Sequence, residues 1–174
     1  MMRFLPVVSC LAIFLVAALA GCTKDAKKKS TSEPMPASSL PDAFWLKSEP
    51  ANAKPVAEVR DKAKTGDAVV VAGRVGGVKE PFMKGAAVFT LVDAALKPCT
   101  DECESPWDYC CEPPDRITKN TITVEFRDGA SPIKTDARGF HGLDHLKNVV
   151  VTGEARKDEA GNVVVVAKGV FVGS

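Results

Sequence analysis

Four cysteines, Cys99, Cys103, Cys110 and Cys111, fall within the single stretch Lys97–Pro114, KPCTDECESPWDYCCEPP, beside one of the chain's two tryptophans and its only tyrosine. Clustered thiols close disulfides or ligate a soft metal. The spacing Cys99-x3-Cys103-x6-Cys110-Cys111 allows three disulfide connectivities. Joining Cys110 to Cys111 strains the intervening peptide and is the least favoured. Cys99 with Cys110 and Cys103 with Cys111, or the crossed arrangement, are the others. Two bridges would contribute about 3 kcal/mol each by restricting the unfolded chain. As ligands, four thiolates could hold zinc, although structural zinc sites usually bring cysteines in pairs two to four residues apart and an adjacent pair fits a tetrahedron poorly.

The two histidines, His141 and His145, are four apart with Asp144 between them. On a helix they would share a face and could ligate a metal, or simply face solvent. Trp107 and Tyr109 would either pack as a small core of the Cys-rich loop or stand exposed to meet a protein or small-ligand partner. No Gly-rich phosphate loop or nucleophile elbow is present. The expectation is a protein that is not an enzyme and uses no cofactor.

The amino end gives an address. Arg3 precedes an apolar run from Phe4 to Ala20, broken only by Pro6 and Ser9 and ending in Leu19-Ala20-Gly21-Cys22. A positive start, an apolar core and small residues at its end read as a secretory signal peptide over residues 1–21; an uncleaved membrane anchor is the competing reading. Leu-Ala-Gly-Cys resembles the lipobox of bacterial lipoproteins. That resemblance implies cleavage after Gly21 and acylation of Cys22, so that membrane lipid is a partner through palmitate-like chains; two or more chains anchor stably. Thr23 follows Cys22, where an Asp would resemble an inner-membrane retention signal. The expected location is the cell membrane or outer membrane, with the domain facing the periplasm or cell exterior. Cys10 leaves with the signal and Cys22 is lipidated, so the four clustered cysteines are an even set in an oxidising compartment, which makes disulfides the default.

Of the 23 Lys and Arg, Arg3 alone leaves with the signal, so 22 stand against 22 Asp and Glu. A net charge near zero argues against polyanion binding by bulk attraction. Residues 22–54 are rich in Lys, Ser, Pro and Ala, with Lys27-Lys28-Lys29 and four prolines after them, and read as a disordered spacer. Phe44-Trp45-Leu46 is its one apolar knot, to dock on the domain or lie at the membrane interface. Residues 55–174 form the domain. Pro55–Lys64 spaces Val56, Val59 and Ala63 as a short helix. Strands are expected over Ala68–Val78, where Gly73, Gly76 and Gly77 suggest bends, and over Ala86–Asp93, Thr121–Asp128, Val149–Ala155 and Val163–Val172. Ala137–Asn148 suggests a short helical link with Leu143 and Leu146 inward. The Cys-rich stretch then lies in the long connection between the second and third strands.

Five short strands with a helical link between the third and fourth resemble the OB-fold, a five-stranded Greek-key barrel. GDAVVVAGRVGG, AVFTLVD and LKNVVVTGEA carry the resemblance, which is to extracytoplasmic OB-fold lipoproteins and the anticodon-binding type of OB domain. The fold class is therefore all-β. OB-folds often bind oligonucleotides on the faces of strands two and three. With Phe89, Leu91, Ile122, Val124 and Phe126 inward, the outer face carries Val88, Thr90, Thr121, Thr123, Glu125 and Arg127 and no aromatic ring, so nucleic acid is a poor candidate. The reading is a membrane-anchored, non-catalytic binding or interaction module. Its alternatives are a metal-binding or thiol-redox lipoprotein and an oligonucleotide binder.

Overall fold

A computed structural model describes residues 37–100 and 103–173. The signal peptide, Cys22 and the basic run Lys27–Lys29 lie outside the described residues. In chain order the strands and helices are β1 (Lys54–Pro55), α1 (Val56–Lys62), β2 (Ala68–Val75), β3 (Val88–Val92), α2 (Pro114–Lys119), β4 (Thr121–Glu125), β5 (Arg127–Asp128), β6 (Ser131–Pro132), β7 (Asn148–Lys157) and β8 (Val163–Val172).

The strands β2, β3, β4, β8 and β7 are neighbours in that order, and β2 pairs again with β7 to close the ring. All barrel ladders are antiparallel except β4 with β8. This is an all-β, OB-like five-stranded barrel, as the strand pattern predicts. Alternation fills it: Phe89, Leu91, Ile122, Val124, Phe126, Val151 and Val165 are buried in one core cluster. Along β4 the threonines at 121 and 123 are only half-buried while Ile122 and Val124 are enclosed, the period-two signature of a strand with one wet face.

Glycines permit the close approaches. At Gly73 a Cβ would lie 2.7 Å from both the Leu91 side chain and the Val92 carbonyl, so this glycine lets packed elements touch; β2 stays paired with β7 through it. The chain leaves β2 at Gly76 and Gly77 instead. In β7 a register shift falls between Thr152 and Gly153, where a Cβ would meet the Val166 carbonyl oxygen at 2.3 Å.

Helix α1 buries Val56 and Val59. The buried carboxylate of Asp93 accepts the Ala57 N–H at 2.9 Å and the Ala95 N–H at 2.9 Å, tying the helix start to the end of β3.

The spacer expected to run to Lys54 is shorter than composition suggests. Leu40 is buried, Phe44 meets Phe126 edge-on at 5.1 Å, and the Leu46 N–H donates to the Val170 carbonyl at 2.9 Å. The apolar knot thus docks on the barrel, because four large apolar groups in seven residues bury enough surface to offset their ordering. The Ala137–Asn148 link contains a single 3-10 turn, Phe140–Gly142, and Leu143 is buried as expected. Helix α2 was not expected from sequence.

Gly153→Ala should cost about 1–3 kcal/mol, the usual range for overpacking. Urea unfolding that left the midpoint unchanged would refute this account of the β7 bulge.

Candidate four-thiol metal centre

The connection between β3 and β4 folds back over the outside of the barrel. Its anchor is Tyr109, fully buried with Val92 and Leu96 and backed by Ile117 and Leu146 in a second apolar cluster. The Arg74 guanidinium donates to the Tyr109 hydroxyl and to the Leu96 carbonyl, each at 3.3 Å. Trp107 supplies further ties. Its carbonyl accepts the Gly77 N–H at 2.8 Å, its indole N–H donates to the Lys79 carbonyl at 3.0 Å, and its ring stacks on His145 with centroids 4.1 Å apart. Gly76 is needed beneath: a Cβ there would stand 2.6 Å from the Trp107 carbonyl oxygen.

Three local turns then aim the thiols. The Cys103 N–H donates to the Thr100 carbonyl at 3.0 Å, and the Cys99 N–H to the Pro106 carbonyl at 3.0 Å, closing the base of the loop. Pro106–Asp108 is a 3-10 turn ended by Tyr109 in the left-handed region, at φ 58°. Asp108 Oδ1 accepts the Cys110 N–H at 2.8 Å. The reversal at Tyr109 swings Cys110 and Cys111 back towards Cys99.

The result is a cluster in which all four Sγ atoms lie within 4.8 Å of one another. The Cys99 and Cys110 sulfurs are 3.4 Å apart, and the Cys111 N–H donates to Cys99 Sγ at 3.4 Å. Here the structure departs from the expected disulfides: all four cysteines are free thiols. A disulfide bond is about 2.05 Å long. The physical reason is convergence, since the turns gather the sulfurs around one point rather than in two separated pairs. A tetrahedral zinc with Zn–S bonds of about 2.3 Å needs sulfurs about 3.8 Å apart, which this cluster meets with small movements. The adjacent pair, which looks unsuited to a tetrahedron in sequence, is accommodated by the left-handed backbone at Tyr109.

Charge is shared unequally. Burial opposes ionisation of Cys99, but the Cys111 N–H and the neighbouring thiols outweigh it, and its pKa falls below the ordinary thiol value. The other three are raised: Cys103 by burial and by its hydrogen bonds to Cys99 and Cys110, Cys110 to about 12 by its bonds to Cys99 and Asp108, and Cys111 to about 11 by its bond to Cys99 and by burial. Cys99 is therefore the thiol of the four that gives up its proton most readily.

The histidines do not join the cluster. The backbone around them is not helical, His141 sits at φ 44°, and no shared face forms. His141 stacks on Trp45 at 4.4 Å and bonds Asp42 at 2.8 Å, while His145 stacks on Trp107 and approaches Asp144 at 3.2 Å. Among the described residues, the four cysteines are the one group of three or more potential ligands gathered together. Tyr109, a candidate partner contact by sequence, is enclosed, and Trp107 is half-buried.

Beside the loop, the rest of the outer face is an open groove of about 240 Å³ that includes Thr90, Thr121, Thr123 and Arg60 and has no aromatic ring in its lining. Arg60 is engaged there, donating to the Thr121 carbonyl at 2.7 Å. Val88, expected on this face, is buried. No protein-family model, curated protein or solved structure matches the chain.

His145 and Asp144 give the loop a pH dependence. Burial and then the Arg138 charge depress the His145 pKa, against the opposing pull of Asp144 and Glu80. Burial would raise the Asp144 pKa, but the hydrogen bond from Arg138 and the His145 N–H lower it. Groups that bind protons more weakly folded than unfolded stabilise the fold above their unfolded pKa and lose that contribution as pH falls through the folded one. Acidification from about pH 6.5, the ordinary histidine value, should therefore loosen the Trp107–His145 stack. In a Trp45→Phe protein, Trp107 emission should shift red with acid; emission unchanged to about pH 4.5, near the ordinary carboxylate range, would contradict this.

Proposed function

We propose that this chain is a lipid-anchored, extracytoplasmic OB-like module whose ligand is a single thiophilic metal ion, Zn2+ or Cu+, held by Cys99, Cys103, Cys110 and Cys111. The observation that carries this reading is the convergence of four Sγ atoms within 4.8 Å on a loop already docked by Tyr109 and Trp107. Thiolates suit borderline and soft ions, and four of them suit tetrahedral coordination. The reading takes up the metal-binding alternative of the sequence analysis in place of a module whose loop is stapled by disulfides. The Leu19-Ala20-Gly21-Cys22 motif supports the anchor.

Full-length protein purified under reducing, anaerobic conditions should take up one equivalent of Zn2+ by elemental analysis, and its four thiols should resist a thiol reagent until zinc is chelated. Cys99→Ser should weaken uptake by about tenfold or more, since even losing groups that only support metal ligands costs 10–100-fold. Reduced protein that takes up neither Zn2+ nor Cu+ would rule the reading out. Binding must expel the protons held by the raised thiols, so affinity should climb steeply with pH; a flat dependence between about pH 6 and 8, below the raised thiol values, would contradict the four-thiolate assignment. Palmitate-analogue labelling should appear in the wild type and vanish in Cys22→Ser; equal labelling of both would refute the anchor.

A further inference from the structure

We infer that the ion is held for transfer rather than for structure: it passes by ligand exchange, through Cys111 and Cys110, to an acceptor that presents thiolates. This rests on the metal-binding reading above and adds to it a direction of exit and a class of partner.

The cluster is graded from inside to outside. Cys99 is 8 % exposed, Cys103 is half-buried, and Cys110 and Cys111 are exposed. A closed structural zinc site surrounds its ion, and small domains built on one do not fold without it. This loop is built otherwise. Tyr109 in its apolar pocket, the Arg74 bonds, the Trp107 stack, the Gly77-to-Trp107 bond and the Cys99-to-Pro106 bond use no sulfur atom. They hold the backbone of the site whether or not an ion is present. An ion bound here contributes no closing of the fold and meets solvent on its Cys110–Cys111 side.

That side is a pair of adjacent thiolates, which an incoming pair of thiolates can replace one at a time. In the first step an acceptor thiol gives up its proton and its sulfur forms a bond to the metal. The bond from the metal to Cys111 breaks, and the Cys111 thiolate takes up a proton. The same exchange with the acceptor's second thiol follows at Cys110, and a second pair of acceptor thiols then replaces the more enclosed Cys103 and last Cys99. The metal keeps its oxidation state and no electron moves.

The test uses full-length Trp45→Phe protein in detergent, loaded with Zn2+, in which Trp107 is the sole tryptophan. Two competitors are compared: the dithiol dimercaptosuccinate as a model acceptor, and EDTA as a sulfur-free chelator. The release rate should rise in proportion to dithiol concentration and exceed the rate into EDTA at equal concentration. Acrylamide quenching of Trp107 and near-UV circular dichroism should be almost unchanged when zinc leaves. Cys111→Ser should release zinc to the dithiol faster than the parent, its first bond being already absent, while far-UV circular dichroism reports that it folds. A release rate independent of dithiol concentration, or a several-fold rise in Trp107 quenching on zinc removal, would show a structural site and overturn the inference while leaving metal binding intact. Failure to load zinc or copper at all would instead remove the metal-binding reading beneath it.

Discussion

Tyr109 couples the Cys-rich loop to the barrel, and the geometry of the thiols follows from where its ring sits. A tyrosine in the left-handed region costs about 1–2 kcal/mol relative to ordinary backbone. Burying a ring of this size against Val92 and Leu96 returns about 1.5–3 kcal/mol, and the Arg74 bond to the hydroxyl adds to it. The balance favours the strained turn. Arg74 also donates to Asn148 at 3.2 Å, so one guanidinium joins the loop, β2 and the start of β7. The turn at Tyr109 then leaves Cys110 and Cys111 no direction but back towards Cys99.

The barrel dictates where this can happen. Strand β2 is shared among three ladders, pairing briefly and in parallel with β1, running antiparallel to β7 over most of its length and meeting β3 only at Arg74 and Val75. The outer face near Val92 is therefore left uncovered by sheet. A connection leaving β3 at Asp93 and returning at Thr121 lies over that face, burying Val92 from outside while Leu91 faces the interior. The loop thus occupies part of the surface that OB-like barrels offer to ligands, and the groove left beside it is lined by threonines together with aliphatic residues such as Val78 and Ile117. A docked loop on that face leaves less strand surface open, and on the proposed reading the site of recognition is the loop.

The barrel was legible in sequence because Ile122, Val124 and Phe126 alternate cleanly and the valine runs of β7 and β8 admit little but strand. Helix α2 was not, since six residues, PDRITK, hold too few apolar positions for a period to show; Pro114 at its first turn was the available signal. The cysteines were visible as a set, but their geometry was not. Spacing along the chain argued for two separate pairs, whereas the positive φ at Tyr109, adopted by a bulky residue that rarely enters that region, makes an adjacent pair converge with two distant partners. The histidines fail for a related reason. Four-residue spacing places side chains together only on a helix, and Gly139 and Gly142, both at positive φ, bracket His141 in a tight turn.

With the backbone already placed, metal affinity on the proposed reading would be governed by charge rather than by folding. Cys99 is the most readily ionised of the four thiols, because a backbone N–H compensates its desolvated sulfur. Cys110 and Cys111 hold their protons chiefly through hydrogen bonds to Cys99, and thiolates formed here would be like charges within 4.8 Å of one another. A divalent ion bound there would remove that repulsion, so binding and deprotonation would be one event. The order of burial gives the same event a direction, because the innermost sulfur is ionised first and the outermost two are the most reluctant. On the proposed reading an ion would meet its most readily ionised ligand deep in the loop and its most easily reprotonated ligands at the surface, an arrangement that suits capture from one side and release to the same side.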